Sequence, residues 1–93
     1  MSDTLTKLFD VVQSRKTNAP PGSYTASLFA KGEDEIVKKV GEEAIEVIVA
    51  AKRQGRERIV SESADLVYHL LVLLAQKDVA WTEVETELQK RMK

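Results

Sequence analysis

Five carboxylates in the middle of the chain recur at one-turn spacing: Glu42, Glu43 and Glu46 in one run, Glu62 and Asp65 in the next. On a helix, residues three or four apart stack on one face, so each run is a short acidic stripe. Placed at about 100° per residue from Ile36, the first stripe lies beside an apolar arc, at the margin of a core rather than on the far solvated side. The same arithmetic from Ile59 gathers Glu62, Asp65 and His69 on one side of a helix that is otherwise apolar. Carboxylates are costly to bury alone, and stacked ones repel, so such stripes need cations. Ion pairs with Lys38, Lys39 or Arg53 are one answer. The other is a hard divalent ion, Mg²⁺ or Mn²⁺, which suits all-oxygen ligation and takes its remaining ligands from water and substrate phosphates. In that setting the ion neutralises phosphate charge and acidifies an attacking water, while a free carboxylate accepts the proton. The chemistry indicated is hydrolysis of a phosphate ester or anhydride.

A second set of groups precedes the first stripe. Ser23, Thr25, Ser27, Lys31, Lys38 and Lys39 bring hydroxyls, backbone donors and cations close in sequence to the acidic helix, the kind of place anions prefer. The competing reading makes the lysines ordinary surface charges and lets Tyr24, Leu28 and Phe29 plug the end of a bundle. His69, one turn past Asp65, either bonds a ligand carboxylate or substrate or is a satisfied structural residue.

These residues need helices to hold them. The 93 residues make one small domain, spanning 1–93, and 43% apolar content is generous for so small an interior, which favours self-association. Leu5, Leu8, Phe9 and Val12 predict a first helix capped by Ser2 or Thr4 and ending near Lys16. The turn-rich stretch 17–23 predicts a loop. A short helix capped by Ser23 or Thr25 follows and stops at Gly32, with a second connection over 31–34. Ile36, Val37, Val40, Ala44, Val47, Ile48 and Ala51 form the apolar arc of a long helix from about Glu33 to Arg53, ended by Gln54 and Gly55. The next helix is apolar nearly all round in its second half, and a second subunit is expected to cover it. Thr82 and Glu85 predict a capping box for a last helix carrying Val84, Leu88 and Met92 inward. The fold class is all-α, four to five helices in a bundle completed by homodimerisation.

Other chemistries are excluded by what is missing. The chain has no cysteine and one histidine, which removes disulfides, thiolate metal sites, cysteine nucleophiles and multi-imidazole centres. A net charge of -1 offers no basic field for nucleic acid or an anionic membrane. The N-terminus lacks a secretory pattern and the longest apolar stretch, Leu70 to Ala75, is too short to cross a bilayer, so a cytoplasmic location is expected.

Three segments carry a family resemblance: Ser23-Tyr24-Thr25-Ala26-Ser27-Leu28-Phe29-Ala30-Lys31-Gly32, Lys39-Val40-Gly41-Glu42-Glu43-Ala44-Ile45-Glu46, and Glu62-Ser63-Ala64-Asp65-Leu66-Val67-Tyr68-His69. The E-E-x-x-E and E-x-x-D patterns resemble the MazG-type and dimeric dUTPase superfamily of all-α nucleotide pyrophosphohydrolases. The S-Y-T-x-S-L-F and A-D-L-x-Y-H segments narrow the resemblance to the phosphoribosyl-ATP pyrophosphohydrolase family of histidine biosynthesis. That resemblance implies a homodimer and Mg²⁺-dependent hydrolysis of the α,β phosphoanhydride of phosphoribosyl-ATP, giving phosphoribosyl-AMP and pyrophosphate. It implies that Glu42, Glu43, Glu46, Glu62 and Asp65 are catalytic, with Glu43, Glu46, Glu62 and Asp65 as metal ligands and Glu42 as base or outer residue. Ser23, Tyr24, Ser27, Lys31, Lys38, Lys39 and His69 are the implied substrate-binding residues. The rival readings are a house-cleaning nucleoside triphosphate pyrophosphohydrolase and a non-enzymatic dimerisation module.

Overall fold

The computed structural model describes residues 3–92, in which five helices follow one another: α1 Asp3–Thr17, α2 Tyr24–Lys31, α3 Glu33–Arg53, α4 Arg56–Gln76 and α5 Trp81–Arg91. Ser2, one of the two expected caps of α1, lies outside the described residues. Ser23 caps α2, its Oγ accepting from the Ala26 N–H at 3.0 Å. The connection expected over 31–34 shrinks to Gly32 alone. At φ 100 this glycine ends α2 and starts α3 without an intervening loop, a left-handed conformation that L side chains rarely adopt.

Gln54 and Gly55 are the entire link between α3 and α4, so the two long helices fold back as an antiparallel hairpin. Its register shows at two depths. Lys77 meets Glu33 at 3.2 Å near the open end, and Glu43 faces Asp65 midway, each pair about equally far from the turn. α1 packs on α4, and α2 bridges α1 and α3. The core is formed by Phe9 and Val12 of α1, Leu28 of α2, Ile36 of α3, and Leu71, Val72 and Ala75 of α4. Fully burying each larger aliphatic side chain contributes about 1.5 to 3 kcal/mol. Lys16, in the last turn of α1, donates to the Ala75 carbonyl and to Asp78 Oδ1, both at 2.8 Å, and so ties α1 to the electronegative C-terminal end of α4.

Three expectations need correction. The apolar arc of α3 is split: Ile36 is buried, but Val37 and Ile48 are 48% and 62% exposed, because within one chain α4 covers only one flank of the helix. From Ala51 through Ser61 every residue is exposed, so the hairpin tip projects beyond the core. α5 starts one residue before Thr82; the Glu83 carboxylate accepts from the Ala80 N–H at 2.9 Å, and Ala80 has no side-chain acceptor to return the bond. Leu88 and Met92 point outward, at 50% and 77% exposure, and the principal packing partner of α5 is α1. α4 is by itself long and apolar enough to cross a membrane, yet it packs against both α1 and α3 and supplies three of the core residues, as a core helix does.

Candidate functional site

The hairpin register sets Glu43 of α3 opposite Glu62 and Asp65 of α4, and one carboxylate oxygen of each lies within 4.8 Å of the other two. Glu62 is only 6% exposed, Glu43 is half-buried, and Asp65 is exposed. The group is therefore closed at Glu62 and open to solvent at Asp65. Each helix also supplies a cation one turn before its carboxylate. Arg58 Nη2 donates to Glu62 Oε2 at 2.5 Å, and Lys39 Nζ lies 3.3 Å from Glu43 and 3.7 Å from Glu42. Burial pulls the Lys39 ammonium down, but its bond to Glu43 and the fields of Tyr24, Glu43 and Glu42 outweigh this, leaving the group above its usual 10.5.

Ion pairing and metal binding thus cease to be exclusive readings. Lys39 is shared between Glu43 and Glu42 and Arg58 serves Glu62, so the carboxylates of the site outnumber its cations. An all-carboxylate donor set suits Mg²⁺ or Mn²⁺. In an octahedral shell with Mg–O about 2.1 Å, neighbouring ligand oxygens are about 3.0 Å apart and opposite ones about 4.2 Å, so oxygens that lie within 4.8 Å of one another would close on one ion by side-chain rotation of about an ångström or more. The residues present fit a divalent ion.

Of the expected carboxylates, Glu46 and Glu42 stand outside this group. Both are exposed, and Glu42 reaches it only through Lys39. Lys38 turns to Glu35 at 3.4 Å instead of to the acidic group. Lys31 is exposed at the end of α2 away from Tyr24. Ser23 is occupied as the α2 cap, and the Ser27 hydroxyl donates to the Tyr24 carbonyl at 2.6 Å, so both hydroxyls hold α2 together.

An aromatic rim continues from the carboxylates along α4. His69, 6% exposed, has Nδ1 at 2.8 Å from the Asp65 carbonyl. That oxygen can only accept, so Nδ1 donates to it, and Nε2 shares a hydrogen bond with the Tyr24 hydroxyl at 3.2 Å. Tyr68 hydrogen-bonds Thr25, its ring stacks on Tyr24 with centroids 6.2 Å apart, and its edge contact with His69 is 4.9 Å. Burial lifts the Tyr68 phenol above 10.0, against the opposing pull of the Thr25 bond, and keeps it neutral. Tyr24 is held by these contacts yet remains 49% exposed, a fixed ring offered to solvent. Arg58 and Tyr68 are the site residues that sequence reasoning missed. The i,i+4 spacing of Arg58 to Glu62 was the available signal for the first, and the place of Tyr68 in the A-D-L-x-Y-H segment was the signal for the second. A surface hollow of about 370 Å³ along α5, lined by Val79, Glu83, Val84, Glu87, Leu88 and Arg91, shares no residue with this site.

The family described as phosphoribosyl-ATP pyrophosphohydrolase matches residues 5–92. The phosphoribosyl-ATP pyrophosphatase of Metallosphaera sedula is 54% identical over 93 residues, 100% of both chains. That of Clostridium acetobutylicum is 49% identical over 90 residues, 97% of this chain and 82% of the relative. The histidine biosynthesis bifunctional protein of Caldanaerobacter subterraneus subsp. tengcongensis is 47% identical over 91 residues, 98% of this chain but 44% of that longer protein.

Proposed function

The chain belongs to the phosphoribosyl-ATP pyrophosphohydrolase family, and from that premise we propose how its residues carry out the reaction. It is a hydrolase that converts phosphoribosyl-ATP to phosphoribosyl-AMP and pyrophosphate, the second step of histidine biosynthesis. The observation that carries the mechanism is the convergence of Glu43, Glu62 and Asp65 at the middle of the hairpin. These three would hold Mg²⁺, or Mn²⁺ in its place, and Glu46, one turn along α3, would be the fourth ligand. Bound there, the ion would supply charge neutralisation at the phosphate oxygens and an acidified water. Attack of water on phosphorus breaks the α,β anhydride, with pyrophosphate as the leaving group. Glu42, outside the carboxylate group, takes the water's proton.

Lys39 stays protonated and meets the phosphate oxygens, while Lys31 and Lys38 add positive field at greater distance. Tyr24 stacks against the nucleotide, and His69 presents it at a fixed angle. Ser23 and Ser27 act from behind by holding α2. The exposed apolar residues Val37, Ile45, Ile48 and Val60, between 48% and 63% exposed, are the contact for a second copy, making a homodimer. The reaction needs no membrane and no nucleic acid, and we place it in the cytoplasm.

A substrate panel tests the assignment. Phosphoribosyl-ATP turned over far faster than free nucleoside triphosphates is the expected result. Efficient hydrolysis of free triphosphates with none of phosphoribosyl-ATP would assign the protein instead to nucleotide house-cleaning.

A further inference from the structure

Glu62 is the most deeply buried carboxylate of the acidic group, and its polar partner is Arg58 rather than a backbone donor. The Arg58 side chain is about half-exposed, at 51%, and is anchored at the hairpin tip, where every neighbour from Ala51 to Ser61 is exposed. One end of the pair is thus locked in the protein and the other is free to leave. The bonded oxygen, Glu62 Oε2, belongs to a carboxylate that lies within 4.8 Å of the Glu43 and Asp65 oxygens. A guanidinium there and a divalent ion compete for the same negative charge.

We infer that Arg58 is a built-in counter-cation that competes with the divalent ion for Glu62, so that it sets the affinity of the site for metal. This rests on the metal-site reading above. When no ion is bound, Arg58 is the cation that partners Glu62, so the buried carboxylate is not left alone beside Glu43 and Asp65. When the ion binds, the guanidinium gives up the carboxylate and swings to solvent, at the cost of one charge-assisted hydrogen bond. Lys39 has the same relation to Glu43 but is held more firmly, with a side chain only 24% exposed, so Arg58 is the one displaced.

The test is calorimetric titration of the full chain with Mn²⁺ alone, without substrate. Arg58→Gln is expected to bind Mn²⁺ roughly three- to tenfold more tightly than wild type, the range for losing one half-exposed charge-assisted bond. Its melting temperature without metal falls, and Arg58→Lys, which keeps the charge but loses the fork, lies between. Arg56→Gln makes the same change in net charge at an exposed arginine two residues away and should leave the affinity nearly unchanged. Unchanged or weaker binding by Arg58→Gln would overturn the inference and make Arg58 an orienting residue. Equal tightening by Arg56→Gln would overturn it in favour of a general field effect. If wild type and Glu62→Gln alike bind no Mn²⁺, the metal-site reading itself fails and this inference with it.

Discussion

Glu62→Gln separates a metal ligand from a structural carboxylate, because its two effects differ in sign and size. Without metal, the substitution removes repulsion from Glu43 and Asp65 and also removes the attraction of Arg58. Unit charges 4.8 Å apart repel by about 3.5 kcal/mol at an effective dielectric of about 20, and an ion pair near 4 Å is worth about 4 kcal/mol on the same footing. Exposure of Asp65 and of half the Arg58 side chain screens both severalfold, so the net change should fall within about 1 kcal/mol of zero. In a domain of this size that is a melting shift of at most about 8 °C in either direction. With metal at about 100 times its Kd, wild type gains about 2.7 kcal/mol, or roughly 10 to 20 °C. Glu62→Gln should lose most of that gain and at least about a hundredfold in kcat, as several kcal/mol of charge stabilisation disappear. Differential scanning fluorimetry with and without Mg²⁺ reads the first quantity, and pyrophosphate release reads the second. A variant that keeps the full metal-induced shift would refute the assignment of Glu62 as a ligand. A metal-free loss of more than about 3 kcal/mol would mark the carboxylate as structural.

Other consequences follow from the same geometry. Glu46→Gln should reduce kcat less than Glu62→Gln does, since Glu46 is exposed and outside the carboxylate group; steady-state kinetics of the two variants side by side checks the order. Lys16→Met should cost about 1 kcal/mol in chemical denaturation through loss of the bond to the Ala75 carbonyl, leaving KM unchanged. Lys16 also holds the Asp78 carboxyl below 3.8, so that contribution is present above pH 3.8 and disappears as the pH falls through the depressed value. The stability gap between wild type and Lys16→Met should therefore narrow in acid. Tyr24→Phe removes the hydroxyl bonded to His69 and should raise KM more than it lowers kcat, with melting temperature within a few degrees of wild type. Ile48→Lys places a charge on the exposed face of α3 and should shift the protein from dimer to monomer in sedimentation analysis.

The long helices were legible because their signals are local. The apolar positions of α3 and α4 recur at one-turn spacing, Gly55 interrupts them, and both boundaries follow from chain chemistry alone. The acidic group was legible for a related reason: i,i+3 spacing puts Glu62 and Asp65 on one face, and a two-residue link forces the helix bearing Glu43 to run back past them. Periodicity reports a side chain's direction about its own axis and says nothing about what lies in that direction. Val37 and Ile48 share an arc with Ile36, yet of the three only Ile36 is buried within its own chain. Leu88 has the spacing of a core residue and is half-exposed on a helix whose principal partner is α1. Glu46 belongs to the stripe in sequence and leaves it in space, and the partner of Glu62 proved to be Arg58 rather than any of the cations first considered. Choices among several chemically equivalent partners are made by the packing of whole helices, which no single stripe encodes.

If the Glu43, Glu62 and Asp65 group cleaves the anhydride with a divalent ion, pyrophosphate release from phosphoribosyl-ATP by the wild-type protein must follow the ion, and the measurement to make is that release with Mg²⁺, with EDTA, and with Mg²⁺ restored after EDTA. Release that stops on chelation and returns with the ion is the predicted result. Release that persists undiminished in EDTA, or none from a folded protein supplied with Mg²⁺, would contradict it.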